Sequence, residues 1–188
     1  MHFYQTFLQN FSCISTILSS SPRTGGNSDL LCDSLASGVE AAGNKAVKLH
    51  VAQMNIAPCR ACEYCHEKSD GVCVIRDDME QVWSALEQAD AVVFASPIYF
   101  FDLSAQMKLV IDRLYARYEQ LEVQNSALLL TCGAEDDVAE SAKLTYRKLA
   151  ACCGFQDKGI ICATDVWAAG DIQERSVLRD AFNLGKTL

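Results

Sequence analysis

Residues 19–28 read Ser19-Ser20-Ser21-Pro22-Arg23-Thr24-Gly25-Gly26-Asn27-Ser28. The apolar run Cys13-Ile14-Ser15-Thr16-Ile17-Leu18 precedes them, and a helical pattern opening Asp29-Leu30-Leu31 follows. A strand, a hydroxyl- and glycine-rich turn and a helix, in that order, make the phosphate pocket that α/β proteins build. Free N–H groups at the helix start and the positive end of its dipole point at an anion. The hydroxyls of Ser19, Ser21, Thr24 and Ser28, the Asn27 amide and the Arg23 fork are further candidate donors. The turn lacks the lysine of Gly-x-x-x-x-Gly-Lys-Ser/Thr and the spacing of Gly-x-Gly-x-x-Gly, which disfavours a triphosphate or a dinucleotide pyrophosphate. A cradle made mostly of hydroxyls suits one terminal phosphate, such as flavin mononucleotide (FMN) carries. The competing reading is an ordinary Ser/Gly-rich turn with a helix cap.

The chain has 188 residues, half of them hydrophobic, enough to bury one sizeable core. A net charge of −8 argues against nucleic acid or an anionic membrane surface as partner. No apolar run approaches the roughly 18 residues needed to span a bilayer. The opening Met1-His2-Phe3-Tyr4-Gln5-Thr6-Phe7 has no basic region and does not read as a signal peptide. Residues 1–11 are expected to form a short aromatic arm, and residues 12–188 a single domain. Ten cysteines in a chain that reads as cytoplasmic point to thiol, metal or redox work more than to disulfides.

β-like runs near Cys13–Leu18, Ala46–Val51, Ala91–Ala95, Ala127–Thr131 and Gly159–Ala163 alternate with helical patterns. Leu31, Leu35 and Val39 line the first helix, and Asp77 with Glu80 suggests a capping box for the second. Leu103, Met107, Val110, Ile111 and Leu114 define the third, and 138–153 and 174–185 give two more. Five strands alternating with five helices imply a parallel sheet covered on both faces. One long irregular stretch, 52–76, interrupts the alternation, and such loops are usually functional or disordered.

That stretch contains Cys59-Arg60-Ala61-Cys62-Glu63-Tyr64-Cys65 and then Cys73, a C-x2-C-x2-C-x7-C spacing. Three readings compete: an iron–sulfur cluster on all four cysteines, a zinc site using three of them with Cys73 or His66, or free thiols. Cys13, Cys32, Cys132, Cys152, Cys153 and Cys162 lie in apolar contexts and read as small core residues.

Directly after the third strand comes Ala95-Ser96-Pro97-Ile98-Tyr99-Phe100-Phe101. Ligands of open α/β sheets bind where loops leave the carboxyl edge. Pro97 stiffens the turn, and Tyr99 and Phe100 are placed to contact a flat ring. Phe101 and Trp167 read as packing residues, and His50 and His66 as a sheet-end and an exposed loop residue. Thr131-Cys132-Gly133, after the fourth strand, is a further loop on the same edge.

Ser21–Ser28 resembles the phosphate loop of the NAD(P)H-dependent FMN reductase family, which has the flavodoxin-like fold. Pro58-Cys59-x-x-Cys62-x-x-Cys65 with Gly71-Val72-Cys73 is similar to that family's iron–sulfur flavoprotein branch. Ser96–Phe100, Ser104–Lys108 and Ile111-Asp112-Arg113 resemble its flavin-ring loop and the helix after it. The resemblance runs from about Ser12 to Leu188. It implies a three-layer sandwich with a five-stranded parallel sheet in order 2-1-3-4-5. Ser19, Ser21, Arg23, Asn27 and Ser28 would hold the FMN phosphate. Pro97, Ile98, Tyr99 and Phe100 would line the ring, with Thr131, Cys132 and Gly133 near its pyrimidine side. In the cluster-bearing branch, Cys59, Cys62, Cys65 and Cys73 would ligate a [4Fe–4S] centre.

Two functions follow. One is an NAD(P)H oxidoreductase passing reducing equivalents through FMN to a small acceptor such as a quinone or a flavin. The other is an electron carrier with FMN and [4Fe–4S], served by a ferredoxin-like partner. A homodimer or homotetramer is the expected assembly, and no acid–base catalyst is expected.

Overall fold

Ile14–Ser19 (β1) lies inside the sheet, between the edge strand Lys45–His50 (β2) and the central strand Ala91–Tyr99 (β3). Asn125–Thr131 (β5) and Gln156–Ala163 (β6) extend it, giving the parallel order β2-β1-β3-β5-β6. Asp102–Leu103 (β4) is a two-residue antiparallel strand hairpinned onto β3. Counting the five parallel strands alone, the order is the 2-1-3-4-5 of a flavodoxin-like sheet. The computed structural model describes residues 12–188, so the expected arm at 1–11 lies outside the described residues.

Alternate residues of each central strand face opposite layers, as a period of two requires. Ile17, Val93 and Leu129 pack with Leu31, Leu35 and Val39 of helix α1 (Asn27–Ala41) and with Ala181 of α6 (Ser176–Gly185). Leu18, Phe94 and Leu128 face the other way. They meet Met79, Val82 and Trp83 of α3 (Met79–Leu86), Met107 and Val110 of α4 (Ala105–Leu114), and Tyr146 of α5 (Glu140–Cys153). Where α1 crosses α6, a Cβ on Gly38 would stand 2.0 Å from the Phe182 carbonyl oxygen, and one on Gly185 2.1 Å from that of Leu35. That crossing is open to glycine alone.

Several boundaries differ from the sequence reading. The third strand continues past Ala95 to Tyr99, and Leu103 belongs to β4 rather than to the helix after it. The last two helices begin at Glu140 and Ser176, two residues later than the apolar pattern suggests. No capping box forms at Asp77 and Glu80. Asp77 Oδ1 accepts from the Met79 N–H at 3.1 Å, but Glu80 turns to Arg76 at 3.3 Å. The 52–76 stretch opens on the end of a 3-10 turn, Val51–Gln53, and contains one short α-helix, α2 (Tyr64–Glu67). Cys13 and Cys152 are exposed, not core residues as expected, whereas Cys32 and Cys132 are buried.

Candidate functional site

The carboxyl ends of β1, β3, β5 and β6 open on one cavity of about 420 Å³, within the range of small-molecule sites. Ser21, Arg23, Asn27 and Ser28 form one end of its lining, and Pro97, Ile98, Tyr99 and Phe100 a second wall. Thr131, Cys132 and Gly133 form its floor. The structure thus brings eleven of the twelve expected cofactor residues together. Ser19 lies behind the loop, fully buried, with its hydroxyl donating to Asp29 Oδ1 at 3.3 Å.

Helix α1 starts at an N-cap glycine, Gly26, and no side chain caps it. Its first-turn N–H groups at Asn27 and Ser28 have no intrahelical acceptor, and both residues line the cavity. The buried Asp29 carboxylate shapes the loop from beneath, accepting the Gly25 N–H at 2.8 Å, and stands 3.6 Å from His50 Nδ1. Ser28 and Thr131 share a hydroxyl–hydroxyl bond of 2.7 Å, linking the start of α1 to the floor. A second serine chain joins Ser20, Ser104 and Ser96. Ser104 Oγ donates to Ser20 Oγ at 2.8 Å, and the Ser104 N–H donates to Ser96 Oγ at 2.9 Å.

Asn27 has a different task from the one its amide suggested. Its Nδ2 donates to the Ala168 carbonyl at 2.8 Å and the Val166 carbonyl at 3.4 Å. Its Oδ1 accepts from the N–H groups of Gly170 at 3.0 Å and Ile172 at 3.3 Å. The side chain is a latch on the loop after β6, leaving its backbone N–H for an anion. Arg23 is exposed and donates to the Trp167 carbonyl at 3.3 Å.

Trp167 lines the cavity and is 74 % exposed, so it borders the site rather than packing in the core. Its ring lies against Gly133, where a Cβ would come within 2.5 Å of the ring atoms. Phe101 also lines the cavity, and Phe100 is 96 % exposed. Phe100 (φ 52) and Phe101 (φ 74) are the two central residues of the β3–β4 hairpin, and both occupy the left-handed region. A two-residue turn of this kind normally uses glycine or asparagine, so two phenylalanines there are held under strain. Ala134, Val138, Val166 and Ala169 complete the lining. The signal for Trp167 was its position in a loop at the same sheet edge. Asp29 gave none.

The four cysteines of the 52–76 stretch line a second, smaller pocket. Cys59 and Cys62 are exposed and Cys65 is buried, with Cys73 between. Ala61 (φ 49) and Glu63 (φ 55) are left-handed, and these turns bring the cysteines to one side. The Ala61 N–H donates to Cys59 Sγ at 3.4 Å and the Ile75 N–H to Cys73 Sγ at 3.5 Å. Among the described residues no three His, Cys, Asp or Glu side chains converge closely enough to hold a metal ion. The four-thiol lining and the N–H donors to sulfur have the donor chemistry an iron–sulfur centre uses. The enclosed space is only about 20 Å³, so such a centre requires the exposed Cys59 and Cys62 to open outward. His66 is exposed on α2 and bonds the Tyr115 carbonyl at 2.9 Å, outside the cysteine pocket. Burial raises the Cys65 thiol above its ordinary pKa.

A parallel 2-1-3-4-5 sheet with a Ser/Gly-rich loop and aromatic walls at its carboxyl edge defines a flavodoxin-like α/β protein. The model of the family "NADPH-dependent FMN reductase" matches residues 15–159, and the chain belongs to that family. An iron–sulfur flavoprotein of Archaeoglobus fulgidus is 39 % identical over 94 residues, covering 50 % of this chain and 42 % of the relative. One of Methanosarcina thermophila is 31 % identical over 98 residues, covering 52 % and 50 %. The chain thus spans about half the length of these curated relatives. Among solved structures, an NAD(P)H:quinone oxidoreductase from Methanothermobacter marburgensis superposes with a TM-score of 0.77 at 20 % identity, covering 94 % of this chain and 96 % of that one. That likeness supports the fold. No helix among the described residues is long and apolar enough to cross a membrane.

Proposed function

We propose that this protein is an FMN-dependent NAD(P)H oxidoreductase that passes reducing equivalents to a small acceptor such as a quinone or a flavin. The observation that carries the reading is the single cavity with donors at one end and flat apolar walls at the other. Arg23, Ser21, Ser28 and the first-turn N–H groups of α1 hold the terminal phosphate. Pro97, Ile98, Tyr99 and Phe100 line one side of the ring, and the Thr131–Gly133 backbone meets its polar edge. Trp167 and the Phe100–Phe101 tip screen the site from water. When bound, FMN supplies hydride acceptance and donation at its ring, so the side chains bind and orient rather than move protons.

The test is anaerobic mixing of the FMN-loaded protein with NADH and with NADPH. Bleaching of the flavin absorbance, reversed by an added quinone, is expected. No bleaching with either nucleotide removes the oxidoreductase reading.

The four cysteines on one pocket favour a second reading, an electron carrier with FMN and [4Fe–4S] served by a ferredoxin-like partner. Iron and sulfide analysis of anaerobically purified protein separates the two. About four irons per chain supports the carrier, because four cysteines match that ligation. Iron-free protein with full flavin supports the reductase. The family model supports FMN, and the names of two relatives, iron–sulfur flavoproteins, support a flavin with a cluster.

A further inference from the structure

Arg113 lies on α4 with its side chain 1 % exposed, deeper than any other cation paired in the described residues. Four of its five donors are engaged. Nη1 donates to the Ala57 carbonyl at 2.9 Å and to Asp77 Oδ2 at 2.7 Å. Nη2 donates to the Ile75 carbonyl at 3.3 Å and to Asp77 Oδ1 at 3.2 Å. The fifth, the Nε–H, is buried and has no hydrogen-bond partner. A buried donor on a charged group left unpaired is costly, and native proteins rarely leave one.

The unmade bond belongs to a residue in the wall of the cysteine pocket, where the guanidinium stands beside Cys73. Thiol sulfur is a weak acceptor and thiolate or sulfide sulfur a much better one. Two backbone N–H groups already reach sulfurs of this pocket, at Cys59 and Cys73. A spare N–H on a buried cation is the third donor of the same kind. Ala57 and Ile75, which the fork holds, lie just outside the two ends of the cysteine segment.

Resting on the reading that the four cysteines hold an iron–sulfur centre, we infer that Arg113 is the donor facing it. The Nε–H bonds the centre's sulfur at or beside Cys73, while the fork clamps both ends of the ligand segment. Hydrogen bonds to cluster sulfur and a nearby positive charge favour the reduced, more negative state and raise the potential. Arg113 sits on the helix that Ser104 caps, and the Ser104 N–H donates to Ser96 just before the cavity-lining Pro97, so one element connects the two sites.

The experiment uses anaerobically purified protein, wild type and Arg113→Lys, which keeps a cation but removes the Nε–H and the fork. FMN per chain reports the retained fold, iron and sulfide report loading, and an EPR-monitored titration reports the cluster potential. In the variant the reduced-to-oxidised ratio at a given potential should fall about tenfold, a shift of about 59 mV for a one-electron couple. A fully loaded variant with an unchanged potential overturns the inference and leaves the cluster reading standing. Wild-type protein that binds no iron overturns both.

A second measurement needs no substitution at Arg113. Protein grown with 15N-arginine should show arginine nitrogen coupling to the reduced cluster in pulsed EPR. The coupling should survive Arg60→Lys, since Arg60 also lines the pocket. Absence of the coupling, or its loss in Arg60→Lys, overturns the inference.

Discussion

The Arg113 guanidinium and the Asp77 carboxylate form a two-bond ion pair, at 2.7 and 3.2 Å, with side chains 1 % and 6 % exposed. The pair fastens α4 to the turn that closes the cysteine segment and opens α3. Asp77 also accepts the Ala57 N–H at 2.8 Å, so one carboxylate orders both ends of the irregular stretch. The loop that interrupts the alternation is thereby pinned to the scaffold at its base.

Acid should weaken this anchor. Burial pushes the Asp77 carboxyl up, but bonds from Arg113 and from the Ala57 and Met79 N–H groups outweigh it and hold its pKa below the usual carboxylate range. A lowered folded-state pKa gives stability that is present above the unfolded value near 3.9 and is lost as pH falls through the folded value. Asp77→Asn leaves a buried cation unpaired and should cost about 3 kcal/mol at pH 7. Urea unfolding of both proteins should show that gap shrinking below about pH 4. A gap that stays constant to pH 3 contradicts the assignment.

Gly133→Ala places a methyl carbon where the Trp167 ring lies, 2.5 Å away. The ring must move, and it borders the cavity. The expected readout is a red shift of Trp167 fluorescence, recorded with Trp83→Phe as background, and a weaker KM for the acceptor with little change in global stability. Unaltered emission would show that the contact is not formed in solution.

Asn27→Ala removes four bonds to the 166–172 loop, each worth about 1 kcal/mol net. Amide hydrogen exchange at Gly170 and Ile172 should rise by at least tenfold, because both N–H groups lose their acceptor. Protection equal to wild type would mean another group holds the loop.

On the carrier reading, Cys62→Ser should abolish iron binding while leaving FMN at one per chain, since Cys62 lines the cysteine pocket and not the flavin cavity. Equal iron in variant and wild type removes Cys62 from the ligand set.

Much of this was legible in the chain. The strands and α1 follow from apolar periodicity, and the Ser19–Ser28 turn marks the sheet edge because turn chemistry is local. The β3–β4 hairpin was not legible, since Phe100 and Phe101 adopt a conformation that sequence rules reserve for glycine and asparagine. The role of Asn27 was hidden because its partners lie about 140 residues onward, and spacing cannot show them. The same holds for Arg113, whose sequence neighbours on α4 look like an ordinary amphipathic helix. Asp77 read as half of a capping box because Glu80 stands three residues on, but Arg113 and Arg76 outcompete that local pairing.

The central claim is that the start of α1 holds the phosphate of FMN. Titrating the apoprotein with FMN and with riboflavin, which differ only by that phosphate, tests it directly. Two or more charge-assisted hydrogen bonds of about 1.5–3 kcal/mol each predict riboflavin binding weaker by at least about a hundredfold. The difference should collapse in Arg23→Ala combined with Ser28→Ala. Equal affinity of the wild-type protein for the two compounds would contradict the account.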